Sequence, residues 1–414
     1  MSVGEVYKLY LENIASGGDA FGKYNGKPVF VAGGAPAETI LCRIIEDHNT
    51  WARAELLEII NRSPVRVDCL CKFYGKCGGC NLAHIDYNSQ LEVKVSILKD
   101  SLSRSGVQAP EAEIFPSVPW GYRNRMQFHC LRQQAKGADG PKYGLKGRRS
   151  GEIIAVSDCP VAVQGIRDVL QQSTLNERKG FPLPLEKDRF NVFFKDDVLI
   201  SEGGRQKGKI KILDKEILID ASLFFQSNCS MLEKLIIELQ KIAASQRNAL
   251  PMADLYCGVG TFALFLGGLF PKTVLAEESK VSVNIARENL KQPKINAQTK
   301  SANSVSVEFF ALRDTEWYKT VKTSGSSEKK VLLHQNEGFS FIVADPPRAG
   351  LAVKAAHGLA QEGPSVLAYV SCDTQSLARD AKILTNGGYK LERLLFFDFY
   401  PQTSHIESLA VFMK

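Results

Sequence analysis

Apolar and polar positions alternate in short runs through the first sixty residues. Val3–Leu11, Pro28–Val31, Ile40–Glu46 and Arg53–Ile60 read as strands, separated by glycine-rich turns such as Ala15-Ser-Gly-Gly-Asp-Ala-Phe-Gly22. Several short strands in that length predict a small β-barrel over residues 1–62. Pro64 follows, and a cysteine-rich stretch comes after it. From Asp86 to Ser105 the apolar spacing becomes that of an amphipathic helix. Residues 120–220 return mostly to strands and turns. Past about residue 221 the texture changes to alternating strand and helix signals, which predicts an α/β domain built on a parallel sheet. The polar stretch Asp314–Gly338, including Ser324–Lys330, reads as an inserted loop. The chain thus divides into three segments, 1–62, 63–220 and 221–414, without an internal repeat.

A length of 414 residues accommodates two or three domains. No apolar run approaches the ~18 residues of a membrane span, and the start lacks the charged and apolar regions of a signal peptide, so a cytoplasmic protein is expected. Ten cysteines in such a chain read as reduced thiols before disulfides. The net charge of +7 is unevenly spread: residues 1–62 carry 6 Lys/Arg against 8 Asp/Glu, whereas residues 63–220 carry 25 against 19. Arg123, Arg125, Arg132, Lys136, Lys142, Lys146, Arg148 and Arg149 stand together with the single acid Asp139, and with Phe128 and Tyr143 among them. A second basic run is Arg205, Lys207, Lys209, Lys211 and Lys215. Basic clusters interleaved with aromatic rings suit a polyphosphate backbone with stacked bases, although a solvated strand face has the same composition.

Four kinds of chemistry are written into local patterns. Cys71, Cys77 and Cys80 lie within ten residues, with two glycines between the last pair, and Cys159 precedes Pro160 far downstream. Four thiolates would let a loop wrap one metal centre and staple a distant segment to it; tetrahedral zinc suits them as an iron–sulfur cluster does. Asp254-Leu-Tyr256-Cys-Gly258-Val-Gly260 is a strand, a glycine turn and a helix start, a device for bringing backbone near a ligand that dinucleotide-binding proteins share. The next apolar run ends in Glu277, placed to accept from ribose hydroxyls, with Glu278 as a rival. Phe341-Ile-Val-Ala-Asp345-Pro-Pro-Arg348 is a buried strand running into an acid, and the two prolines hold the following chain extended. The next strand delivers Cys372, a candidate nucleophile beside a helix start. Tyr400-Pro-Gln-Thr-Ser-His405-Ile-Glu407 offers a histidine and a carboxylate, either able to act as a base if buried near Cys372.

Taken together, these motifs resemble the RNA uridine-5-methyltransferase family, in the branch with an N-terminal TRAM domain and an iron–sulfur cluster. The resemblance rests on Cys-x5-Cys-Gly-Gly-Cys with a late Cys-Pro, Tyr122–Phe128, Phe224-Phe-Gln226-Ser-Asn, Asp254–Gly260, Asp345-Pro-Pro-Arg-Ala-Gly, Ser371-Cys372 and Pro401–Glu407. It implies a class I Rossmann-like methyltransferase domain at 221–414, an OB-like TRAM barrel at 1–62, and a mixed central RNA-binding domain at 63–220. It further implies a 4Fe-4S cluster on Cys71, Cys77, Cys80 and Cys159, and S-adenosyl-L-methionine bound by Gln226, Tyr256, Glu277 and Asp345. Cys372 matches the nucleophile and Glu407 the general base. Where the family often has Asn-Pro after the cysteine, this chain has Asp373-Thr374. The implied partner is structured RNA, taken up by a monomer without a membrane. The TRAM-like start favours 23S rRNA, and transfer RNA or a catalytically lapsed RNA-binding protein are the alternatives.

Overall fold

Two units divide the chain, each assembled from separated stretches: Met1–Ile97, Ser117–Val192 and Tyr400–His405 in the first, and Leu98–Pro116, Phe193–Phe399 and Ile406–Lys414 in the second. The computed structural model describes every residue except 132–142, 175–187, 247–249, 292–305, 318–320, 323–328 and 331–337.

In the first unit the N-terminal residues form a six-stranded sheet, in the order Val6–Tyr10, Thr39–Asp47, Ala52–Asn61, Lys27–Val31, Ala20–Tyr24 and Asn13–Ile14. This sheet is what the structure shows of the small barrel expected over 1–62. Its inner face is apolar, with Leu9, Val29, Val31, Ile40, Ile44 and Ala54 buried together, and Leu82 and Ile85 join the same core from beyond the cysteine loop. The strand Ala20–Tyr24 falls where the glycine-rich turn was expected. It pairs with Lys27–Val31 through Asn25-Gly26, both at positive φ (49° and 80°), the two-residue turn that matches strand twist. Further along, Arg125–Cys130, Tyr143–Lys146 and Ile153–Ala155 form an antiparallel ladder. The helix Gln164–Thr174, absent from the sequence reading, follows it.

The second unit is built on an eight-stranded sheet. Neighbours run in the order Ser306–Ala311, Lys272–Glu277, Met252–Leu255, Phe341–Ala344, Val366–Ser371, Glu407–Met413, Lys390–Phe397 and Ala112–Phe115. The first five are parallel, as the strand–helix alternation predicts, and helices Thr261–Leu266, Lys280–Leu290, Val353–Glu362 and Thr374–Asn386 follow strands within the unit. Glu407–Met413 departs from the expectation: it inserts antiparallel between Val366–Ser371 and Lys390–Phe397. Four-residue strands such as Met252–Leu255 and Phe341–Ala344 are buried throughout, as sheets covered on both faces require. Strand order reverses between these two strands, so their carboxyl ends open a crevice at a topological switch point. The helix expected over 86–105 is observed as Tyr87–Arg104. The second basic run lies on the hairpin Lys207–Ile212/Lys215–Asp220, where Lys207, Lys209 and Lys211 are exposed while Gly208, Ile210 and Ile212 turn inward. The described residues contain no helix long and apolar enough to cross a membrane. Arg132, Lys136 and Lys142 of the first basic cluster, and much of the expected 314–338 loop, lie outside the described residues.

Candidate functional site

The switch-point crevice gathers the four candidate cofactor residues within the second unit. The turn after Met252–Leu255 carries Tyr256 at φ 59° and Gly260 at φ 80°. A Cβ at Gly260 would meet Ala286 Cβ at 3.0 Å, so the helix Lys280–Leu290 approaches only because glycine stands there. Tyr256 Oη donates to Asp314 Oδ2 at 2.8 Å. Glu277 Oε2 accepts from Gly258 N at 3.1 Å and its Oε1 from Ser279 N at 2.8 Å, whereas Glu278 is exposed and pairs with Arg313 at 2.8 Å. Glu277 is therefore the acid held at the glycine turn. Asp345 N donates to Leu255 O at 3.2 Å, which ties the acid-Pro-Pro shelf to the first strand's end.

The crevice fits a cationic cofactor bearing donor groups. Burial raises Asp345 to about 7, opposed by a hydrogen bond from Gln226. Burial likewise raises Asp254 to about 8, with the charges of Asp345 and Glu277 adding to the effect. Among the described residues Gln226 Oε1 and Asp254 Oδ1 are buried acceptors without a hydrogen-bond partner, an arrangement that costs free energy until a donor arrives. Asp254 Oδ2 is already engaged by Ala263 N at 2.8 Å. The sulfonium and ammonium of S-adenosylmethionine would supply the positive charge and the donors that these groups lack.

Cys372 and Glu407 sit at one end of adjacent antiparallel strands. Ser371 pairs with Ser408, the last pair of the register, and Cys372 and Glu407 are the next residues along their chains. Burial pushes the Cys372 thiol up to about 12, reinforced by the Glu407, Asp345 and Asp373 carboxyls and opposed by the Arg348 guanidinium. Glu407 is buried, and desolvation followed by the Asp345 charge holds it well above the ordinary carboxylate range, with Arg348 again opposing. Cys372 is half-buried, within reach of a ligand, while His405 is exposed and belongs to the first unit. Of the two candidate bases, the buried carboxylate is the one beside the thiol. Asp373 explains the departure from Asn-Pro: it caps the helix Thr374–Asn386, accepting from Gln375 N at 3.1 Å and Ser376 N at 2.8 Å, as asparagine would. Sequence reasoning gave no role to Arg348, nor to Asp314, which links Tyr256 to Ala352 N at 3.1 Å. An acid shortly after the strand Ser306–Ala311 was the available signal for Asp314.

Within the first unit, Cys71, Cys77, Cys80 and Cys159 line one cavity of 470 Å³ together with Arg123, Lys146, Arg148 and Arg149. Backbone bonds shape it: Cys77 N reaches Phe73 O at 2.9 Å, Gly78 N reaches Lys146 O at 2.9 Å, and Arg148 N reaches Lys76 O at 2.8 Å. Cys159 is held through Asp158, which accepts from Cys159 N at 2.8 Å and binds Arg167 at 2.8 Å. Burial raises the thiols of Cys77, Cys80 and Cys159, the last to about 11; mutual repulsion among the cysteines adds to the rise and Arg123 counters it. Among the described residues no group of three or more ligands is placed to hold a metal ion, and the four cysteines line one cavity.

Residues 205–414 match the family model described as tRNA (uracil-5-)-methyltransferase, and residues 2–57 match the TRAM domain. An RNA methyltransferase of uncharacterised specificity from Treponema denticola is 32% identical over 410 residues, covering 94% of each chain. The 23S rRNA (uracil(1939)-C(5))-methyltransferase RlmD of Pseudomonas putida is 28% identical over 451 residues, covering 99% of this chain and 94% of its own. In fold, the chain is similar to the crystal structure of Pyrococcus abyssi tRNA (uracil-54, C5)-methyltransferase in complex with S-adenosyl-L-homocysteine. That likeness has a TM-score of 0.72 at 23% identity and covers 98% of this chain and 100% of the other.

Proposed function

The chain belongs to the RNA uracil-5-methyltransferase family, whose members use S-adenosylmethionine, and from that premise we propose that it methylates C5 of a uridine in 23S rRNA through a Cys372 adduct. The observation that supports this reading is that the Glu407 and Asp345 carboxyls and the Arg348 guanidinium all act on the Cys372 thiol, one residue beyond the Ser371–Ser408 pair.

Uracil C5 is too weak a nucleophile to take a methyl group unaided. The Cys372 thiolate adds to C6, and the C5=C6 electron pair moves toward the O4 carbonyl as an enolate. When bound, S-adenosylmethionine supplies an electrophilic methyl on a sulfonium, which C5 attacks in line. The adduct then holds a methyl and a proton on C5. Glu407 removes that proton, the C–H pair re-forms C5=C6, and the C6–S bond breaks to return the thiolate. A carboxyl with a raised pKa is a stronger base once ionised, which suits a carbon acid. Arg348 favours both the thiolate and the carboxylate. Gln226, Tyr256, Glu277 and Asp345 hold the donor. Reaching C5 and C6 requires the base to leave its stack, at a cost of a few kcal/mol that a single-stranded loop reduces.

Cys71, Cys77, Cys80 and Cys159 hold a 4Fe-4S cluster, and a brown preparation made without air, as against a colourless zinc protein, tests that assignment. The segments 1–62, 63–220 and 221–414 serve as an OB-type TRAM barrel, a cluster-bearing RNA-binding domain and the methyltransferase domain of a cytoplasmic monomer. Phe21, Phe30, Trp51 and His48 form a ladder of rings at centroid distances of 6.3, 6.1 and 4.0 Å, with Arg53 5.3 Å above Trp51, a surface suited to stacked bases. Support for ribosomal RNA comes from the full-length likeness to the Pseudomonas putida relative named for that substrate. Tritium release from C5-labelled uridine is the test, run on 23S rRNA fragments and on tRNA. Release from tRNA alone would reassign the substrate, and release from neither would end the proposal.

A further inference from the structure

Within the second unit, Asp345-Pro-Pro-Arg348 leaves its strand through a tight turn. Gly350 N donates to Pro347 O at 2.7 Å, so Arg348 and Ala349 are the two central residues of that turn. Arg348 is exposed, and the direction its side chain takes follows from the backbone beneath it. Its guanidinium favours the charged forms of both the Cys372 thiol and the Glu407 carboxyl.

The helix Thr374–Asn386, which starts two residues after Cys372, grips the turn from one side. Arg379 Nη2 donates to Ala349 O and to Leu351 O, both at 2.9 Å. Asp380 is buried, and its Oδ2 accepts from Leu351 N at 2.8 Å and from Tyr369 Oη at 2.7 Å. Tyr369 lies on the strand Val366–Ser371, which ends just before Cys372. Asp380 Oδ1 accepts from Arg379 Nε at 2.8 Å, which aims the guanidinium at the two carbonyls. The approach requires glycine: Gly350 has φ 74°, and a Cβ there would lie 2.5 Å from Asp380 Oδ2 and 2.7 Å from Arg379 Nη2. One helix therefore follows directly on the thiol and also holds the turn that bears its countercharge. Arg379 is the member of this clamp that can be changed without opening the core, since its side chain is 44% exposed and that of Asp380 is 0%.

We propose that Arg379 is a positioning residue for the reaction, holding the turn Pro347–Gly350 so that Arg348 faces Cys372 and Glu407. The inference rests on the reading of Cys372 as the nucleophile. Without Arg379 the carbonyls of residues 349 and 351 lose their shared donor, and the turn keeps only its link from Leu351 N to Asp380. Arg348 then spends less time beside the thiol, the thiolate fraction falls, and adduct formation slows with it.

The test is alkylation of Cys372 by iodoacetamide, a neutral reagent, in full-length protein prepared without air and free of RNA and donor. Mass spectrometry of the Cys372 peptide gives the rate. At about pH 8, Arg348→Ala should slow alkylation about tenfold, the low end of what a lost countercharge does to a titrating group, and Arg379→Ala about threefold to tenfold. The double variant should be no slower than Arg348→Ala, because both substitutions remove one interaction. Methyl transfer at saturating RNA and donor falls by the same factor, and Arg379→Lys, which keeps the charge and a donor, recovers most of the rate. A merely structural role would instead loosen the turn and expose the thiol, and alkylation would quicken. Should Arg379→Ala fail to fold, Arg379→Gln takes its place and is read the same way, with a smaller effect. Alkylation of the variant at the wild-type rate or faster, or slowing that adds to that of Arg348→Ala, overturns the proposal. Methylation retained in Cys372→Ala would sink the parent reading and this one with it, whereas an inactive Cys372→Ala beside an unslowed Arg379→Ala sinks this one alone.

Discussion

The two units hold thiols whose surroundings differ in kind. In the first, four cysteines line one cavity with Arg123, and neighbouring thiols add to burial in raising Cys77, Cys80 and Cys159. In the second, Cys372 faces carboxyls, with Arg348 as the countercharge. Burial is the largest cause of the raised thiols of Cys77, Cys80, Cys159 and Cys372. What separates them is the neighbouring charge: other thiols in one, and carboxyls countered by Arg348 in the other. A thiol's work is set by its neighbours' charges.

The sharpest way to break that contrast is Cys372→Ala. It should abolish tritium release by about 10⁴-fold or more, the scale of removing a covalent nucleophile, while leaving any visible absorbance of the cysteine cavity unchanged. Activity retained in that variant would put the chemistry elsewhere. Glu407→Gln should slow tritium release by about 10²- to 10⁴-fold and accumulate a methylated protein–RNA adduct resistant to denaturation. Loss of methyl transfer without an adduct would remove Glu407 from the base role.

Cys80→Ser acts on the other side of the comparison. Under the proposed cluster assignment it should remove the cluster's visible absorbance and lower the thermal midpoint by several degrees, because metal binding contributes folding free energy; donor binding by the isolated variant should persist. Unaltered absorbance and iron content would exclude Cys80 as a ligand.

How much of this was legible in the residues alone differs between elements. The positions of Asp345 and Glu277 at strand ends on the carboxyl edge of the parallel sheet could be read because each ends an apolar run. Glu407 and His405 could not be separated by sequence, since only burial distinguishes them: one lies within the sheet and the other faces solvent. Arg348 was visible as a letter in a motif, but its influence on Cys372 and Glu407 depends on how a turn folds back. The antiparallel placement of Glu407–Met413 is a tertiary choice that strand–helix alternation does not encode. The missed strand Ala20–Tyr24 had a local signal, Asn25-Gly26, outweighed by the glycines before it.

Two smaller effects sharpen the picture of the second unit. In the folded protein Asp345 titrates at about 7, against an ordinary 3.8. Between those values the native state holds a proton that the unfolded chain has released. This contribution to stability is thus fully present below about pH 4 and is lost as the pH rises through 7. Asp345→Asn should flatten that part of the thermal-midpoint profile in donor-free protein; an unchanged slope would show that Asp345 does not titrate there. Asp373→Asn restores the residue common in the family and should leave stability within about 0.5 kcal/mol, whereas Asp373→Ala should cost about 1 kcal/mol through the lost helix cap. Chemical denaturation of both variants decides this, and equal stability of the two would discount the cap.

The most direct measurement uses RNA in which the target uridine carries fluorine at C5, so that methylation proceeds but no proton can leave. Incubated with methyl donor, digested and mapped by mass spectrometry, the protein should yield one crosslinked peptide, with the methylated base attached at Cys372. A crosslink at any other residue, or methylated product released without one, would contradict the account.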